Sequence, residues 1–152
     1  MEPIIICLWV GIILPWIVFC FAVDWSQIKT IHSVGLLIAL MVVIMDVIGS
    51  SEMFWVYPAR LSPIYYIFFP ADLAIIPVEA MLIAQYMPKR FIKKLGLVFA
   101  VSIANVVAES WMEGDTSAIF YFNWKPIYSL PFYVLLFFIG YYYHRWLTCS
   151  KS

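Results

Sequence analysis

The sequence predicts an all-α fold: an integral membrane bundle of five transmembrane helices, N-terminus outside and C-terminus cytoplasmic. Three observations predict it. The chain is 65% hydrophobic and 19% aromatic, with only 12% charged residues, against about 25% charged in ordinary soluble domains. Five apolar stretches have helical spanning length, for which roughly 20 residues are needed and about 17 suffice. Lysine and arginine then collect on one side of the threading that these stretches impose.

Span one covers about residues 4–23, Ile4–Val23. The apolar run starts directly after Glu2 and Pro3 with no basic segment before it. It is longer than the apolar part of a secretory leader, and no small-x-small cleavage pattern follows, so a retained helix is expected. Span two is Ile31–Ile48, after the connector "DWSQIKT". Span three is Ile64–Tyr86 and carries Pro70 and Pro77. Span four, Leu95–Trp111, follows the basic connector "MPKRFIKK". Span five is Ile127–Tyr143. Pro63 and Pro126 suit helix starts, where a missing N–H costs little. The two longer connectors, "SSEMFWVYPARLSP" and "EGDTSAIFYFNWKP", share an order of acid, aromatics, base and proline. Shared interface composition explains this, and a faint internal repeat is the alternative.

Orientation follows from the bases. With the N-terminus outside, the cytoplasmic segments hold Lys29, Lys89, Arg90, Lys93, Lys94, Arg145 and Lys151, and the outer ones hold Arg60 and Lys125. This bias sets the orientation of the chain, read as one domain over residues 1–152, with the lipid bilayer as its first partner. Trp55, Tyr57, Tyr121, Phe122 and Trp124 read as an outer aromatic belt, and Trp25 and Trp146 as the inner one. The formal net charge is zero, so no overall field invites nucleic acid. The run from Lys89 to Lys94 reads as a topology signal and a contact for anionic lipid. A homo-oligomer or a membrane-protein partner is left open.

Four acids fall within the spans: Asp46, Asp72, Glu79 and Glu109. A charge at the bilayer centre costs at least ~2.5–3.5 kcal/mol, so these groups face the bundle interior, are protonated, or are compensated. The segment "PADLAIIPVEA" repeats Pro-x-acid after a heptad. Seven residues advance about 700°, so Asp72 and Glu79 are expected on one face, roughly 10 Å apart along the axis. Ser102, Asn105 and Glu109 form a second polar stripe at helical spacing. Each proline frees a carbonyl four residues back and kinks its helix. Turning the stripes together gives one polar pocket, near the outer face, with Asp46, Asp72, Glu79, Asn105 and Glu109 as ligand-binding candidates. The structural alternative is that the acids tie helices together through Asn105, Ser102 and tyrosine hydroxyls, at ~0.6–2 kcal/mol each. Arg60 and Lys125 stand where they could pair with Asp46 or Glu109.

Much chemistry is absent. Cys7, Cys20 and Cys149 are too scattered for a disulfide framework or a zinc site. His32 and His144 fall at inner helix ends, away from the acids. No Walker loop, dinucleotide turn or nucleophile elbow occurs, and no cofactor is expected. A metal is left open. An enzyme here would work with carboxylates alone, with Glu79 as proton donor and Asp72 or Glu109 in support.

The ordered set "FWVYP", "PADLAIIPVEAMLIAQY", "ANVVAES" and "YFNWKPIYS" resembles a family of small multi-pass membrane proteins from spore-forming Gram-positive bacteria. That resemblance implies a bacterial plasma membrane and brings no catalytic residues. A weaker one is to the membrane domains of lycopene cyclases, where an acid, a tryptophan-containing loop and a Pro-x-Glu-Glu helix recur in order. Asp46, Trp55 and Pro77-Val78-Glu79 match that order, and Ala80 replaces the second glutamate. The expected function is non-enzymatic binding of a cation, a proton or a small cationic ligand, as a carrier, sensor or accessory subunit. The alternatives are a membrane enzyme acting on an isoprenoid or other lipid, and a structural subunit of a larger membrane complex.

Overall fold

The computed structural model describes residues 3–57, 70–114 and 118–149. The fold is all-α, with five α-helices among the described residues: α1 (Pro3–Ala22), α2 (Ile28–Ser51), α3 (Ile76–Tyr86), α4 (Phe91–Gly114) and α5 (Leu130–Cys149). A 3-10 turn, Trp25–Gln27, leads into α2, and another, Pro126–Ser129, leads into α5 with Pro126 at its first position. Three stretches are long and apolar enough to cross a membrane: Trp25–Ser51, Phe91–Glu113 and Pro126–Cys149. Both α2 and α4 exceed the expected spans at each end, because their hydrogen bonding continues through flanking polar residues. The first part of expected span three, Ile64–Phe69, lies outside the described residues, as do Arg60 and Pro63.

The helices run up and down. Asn105 of α4 meets Glu79 of α3, while Lys94 near one end of α4 bonds Tyr141 near the opposite end of α5. Gln85 and Tyr86 at the close of α3 donate to the Ala22 carbonyl at the close of α1. Helices α2, α3 and α5 pack together around Ile31, Val34, Ile38, Met81 and Phe137, all fully buried. Gly140 lets α5 approach α2, since a Cβ there would lie 3.2 Å from Val34. Helix α1 leans on α3 and the turn before it, and α4 leans on α5. Large apolar side chains also face outward: Phe21 of α1 is 89% exposed, and Leu36 and Leu40 of α2 and Ile103 and Val107 of α4 are exposed. Helices that are apolar all round need apolar surroundings.

Span three departs most from expectation. Between Pro70 and Pro77 the chain forms a π turn, Ala71–Ile75, in which the Ile76 N–H bonds the Ala71 carbonyl. Pro77 has no N–H to offer the Leu73 carbonyl, so the regular ladder is already broken there. The wider i→i+5 turn absorbs that break.

Two elements were not foreseen. The long connectors pair as a two-stranded antiparallel sheet, β1 (Trp55–Val56) and β2 (Phe120–Tyr121), with Trp55 opposite Tyr121 and Val56 opposite Phe120. The return from α2 into β1 turns on Met53, whose φ of 56° is left-handed.

Candidate functional site

A cavity of about 80 Å³ lies between the ends of α2, α4 and α5 and the π turn. Asp46 reaches it from α2, Asp72 from the π turn and Glu109 from α4. Asp46 is 8% exposed and Asp72 is 1% exposed. The expected convergence therefore holds for these three acids. Val42, Ile76, Met112 and Leu136 supply apolar wall, and no basic side chain lines the cavity among the described residues.

The sheet covers this cavity, and the connectors aim phenols at the acids. Tyr57, directly after β1, donates to Asp46 Oδ1 at 3.0 Å. Tyr121 of β2 donates to Glu109 Oε2 at 3.2 Å, and Tyr133 of α5 donates to Glu109 Oε1. Both oxygens of Glu109 are therefore held. Burial, then the charges of Asp46 and Asp72, push the Tyr57 phenol well above its ordinary value. Burial, then Glu109, push Tyr121 in the same direction. Both hydroxyls thus stay protonated and remain donors.

Above the acids sits a tryptophan cap. Trp124 packs against Trp55 with centroids 5.3 Å apart and against Phe54 at 5.5 Å, and its Nε1 donates to Ser129 Oγ at 3.1 Å. Trp55 Nε1 is buried with no hydrogen-bond partner among the described residues. Its ring lies across Gly49, where a Cβ would fall 2.1 Å from the ring carbon Cζ2. Trp55 and Trp124, two members of the expected outer aromatic belt, form this roof with Phe54. The two connectors, whose shared order of residues reads as interface composition or a faint repeat, are the segments that pair as strands.

Glu79 and Asn105 stand apart from this cavity. Asn105 Nδ2 donates to Glu79 Oε2 at 2.7 Å and to the Val101 carbonyl at 3.1 Å. Neither side chain is among those that line the cavity. The π turn accounts for the separation. A π insertion adds a residue without the ~100° of rotation that one α-helical residue brings. The heptad that should have stacked Asp72 over Glu79 therefore leaves them on different faces. The Asn105 tie follows the structural alternative, as do the tyrosine bonds, whereas Ser102 Oγ is buried with no partner among the described residues.

The remaining candidates lie elsewhere. Lys125 is exposed, His32 is exposed, and His144 is buried near the far end of α5. Cys20 and Cys149 are exposed. Among the described residues no group of three His, Cys, Asp or Glu side chains is close enough to hold a metal ion. No protein-family model, curated protein or solved structure matches the chain.

Proposed function

We propose that the chain is a five-helix integral protein of the plasma membrane whose cavity binds a small cationic ligand without catalysing a reaction. The observation that carries this reading is the convergence of Asp46, Asp72 and Glu109, from three separate elements, in one cavity under an aromatic roof. Carboxylates supply charge and acceptors, and tryptophan and tyrosine faces attract cations, by about 0.5–2 kcal/mol each. The spacing of the acids favours a small molecular or hydrated cation over a directly coordinated metal. Trp55 Nε1 adds a donor for an acceptor atom on the occupant.

Membrane placement is supported by the apolar exterior and by charge segregation. Lys29, Lys89, Arg90, Lys93, Lys94 and Arg145 gather at one end of the bundle with Asp24. Glu52, Glu113 and the cavity acids lie at the other with Lys125. On the positive-inside rule the cavity faces outward. Below it Ile38, Met81 and Phe137 fill the core, which favours a sensor, an accessory subunit or a one-sided binding step over a continuous pore. The lipid-enzyme alternative needs Glu79 beside the reaction cavity, and the Glu79–Asn105 pair gives it no support.

The test is thermal unfolding of the purified chain at fixed ionic strength with ammonium, methylammonium, choline, sodium, potassium or calcium. A bound ligand at 100 times its Kd stabilises by about 2.7 kcal/mol. At least one cation should raise the Tm of the native chain and leave Glu109→Gln and Asp46→Asn unmoved. If all these cations shift native and variant chains equally, the cavity is not a cation site.

A further inference from the structure

We infer that the corner between α3 and α4 is a seat for an anionic phospholipid headgroup. The inference rests on the proposed membrane placement, and it is independent of what occupies the cavity.

The corner combines free cations with bare apolar side chains. Lys89, Arg90 and Lys93 are exposed, and their side chains have no hydrogen-bond or ion-pair partner among the described residues. Lys94 has a different role. Its Nζ donates to the Tyr141 hydroxyl at 2.5 Å and lies 4.4 Å from the centre of that ring. That contact fastens the first turn of α4 to α5 and leaves the other three bases facing outward. In the same turn Phe91 is 67% exposed and Ile92 is 82% exposed. On α5 nearby, Arg145 is exposed and Trp146 is 65% exposed.

Water alone does not suit this surface. A nucleic acid or an acidic protein would neutralise the bases and leave Phe91 and Ile92 hydrated. A lipid satisfies both halves: its phosphate takes Arg90 and the lysines, and its upper acyl chain takes the two apolar side chains. The one acid at this end among the described residues, Asp24, is already engaged by Ser26 and Gln27, so it does not compete for the bases.

The experiment places the full chain in nanodiscs of phosphatidylcholine containing one fifth phosphatidylglycerol and counts retained lipids by native mass spectrometry. Phosphatidylglycerol should be enriched over phosphatidylcholine. The triple variant Lys89→Gln/Arg90→Gln/Lys93→Gln should lose that preference by roughly 100-fold at low salt, three bases contributing about fivefold each. Phe91→Ser/Ile92→Ser should weaken retention with the bases intact. Equal enrichment in the native chain and the triple variant overturns the inference. So does displacement of the lipid by millimolar inorganic phosphate, which would make this a phosphate site with no role for the acyl chain. Release of the chain from vesicles by alkaline carbonate would instead overturn the membrane placement. An inserted chain with no lipid preference overturns the seat alone.

Discussion

Gly49→Ala offers a test of the roof in which the sign of the effect is decisive. A Cβ at position 49 would lie 2.1, 2.2 and 2.6 Å from three carbons of the Trp55 ring. Carbon atoms rest about 3.5–4.0 Å apart, so the ring must retreat by at least ~1.4 Å. Trp55 cannot move alone. It is paired in register with Tyr121 and packed on Trp124, and Tyr121 is bonded to Glu109. Overpacking of this kind typically costs ~1–3 kcal/mol. The helix gains ~0.5–1 kcal/mol when alanine replaces glycine. No glycine among the described residues has a positive φ, so alanine meets no backbone strain. The net expectation is a loss of up to ~2.5 kcal/mol, read as unfolding of the detergent-solubilised chain by circular dichroism. In a Trp55→Leu background the ring is gone, and the same Gly49→Ala change should stabilise by about 0.5 kcal/mol. If the effect has one sign in both backgrounds, Trp55 does not rest on Gly49.

Two further substitutions probe separate features. Asn105→Ala leaves the Glu79 carboxyl without its donor and should destabilise by ~1–3 kcal/mol, while cation-induced shifts in Tm persist because this pair lies outside the cavity. Met53→Gly relieves a left-handed backbone that costs an L-residue ~1–2 kcal/mol, so the midpoint of unfolding should rise. A fall would show that the Met53 side chain contributes more than its backbone costs.

Helix existence was legible because it depends on local composition. Apolar runs and bounding polar residues located α1 as Pro3–Ala22 against an expected Ile4–Val23, with both ends within a residue. The ends of α2 and α4 were less legible, since a helix continues through polar residues once its hydrogen bonds are established. The acids could be placed by depth: Asp46, Asp72 and Glu109 were expected near one end, and all three line the cavity there. The phenols that hold Asp46 and Glu109 were not placed. Tyr57 and Tyr121 lie in connectors distant in sequence, and aromatic composition reads alike for a lipid-facing belt and a packed roof. Only strand pairing distinguishes the two, and two-residue strands leave no periodic trace.

The repeated Pro-x-acid pattern shows why spacing alone misassigned Glu79. Two identical steps a heptad apart imply one face only if every intervening residue turns by the same angle. Pro77, which belongs to the second copy, removes the donor that would keep the ladder regular between the copies. The π turn Ala71–Ile75 follows, and it ends immediately before that proline's own turn of α3. The residue that completes the repeat therefore breaks its geometry. Asp72 goes to the cavity beside Asp46 and Glu109, and Glu79 goes to Asn105, where it joins α3 to α4. One motif thus supplies a wall group for a site and a tie between helices.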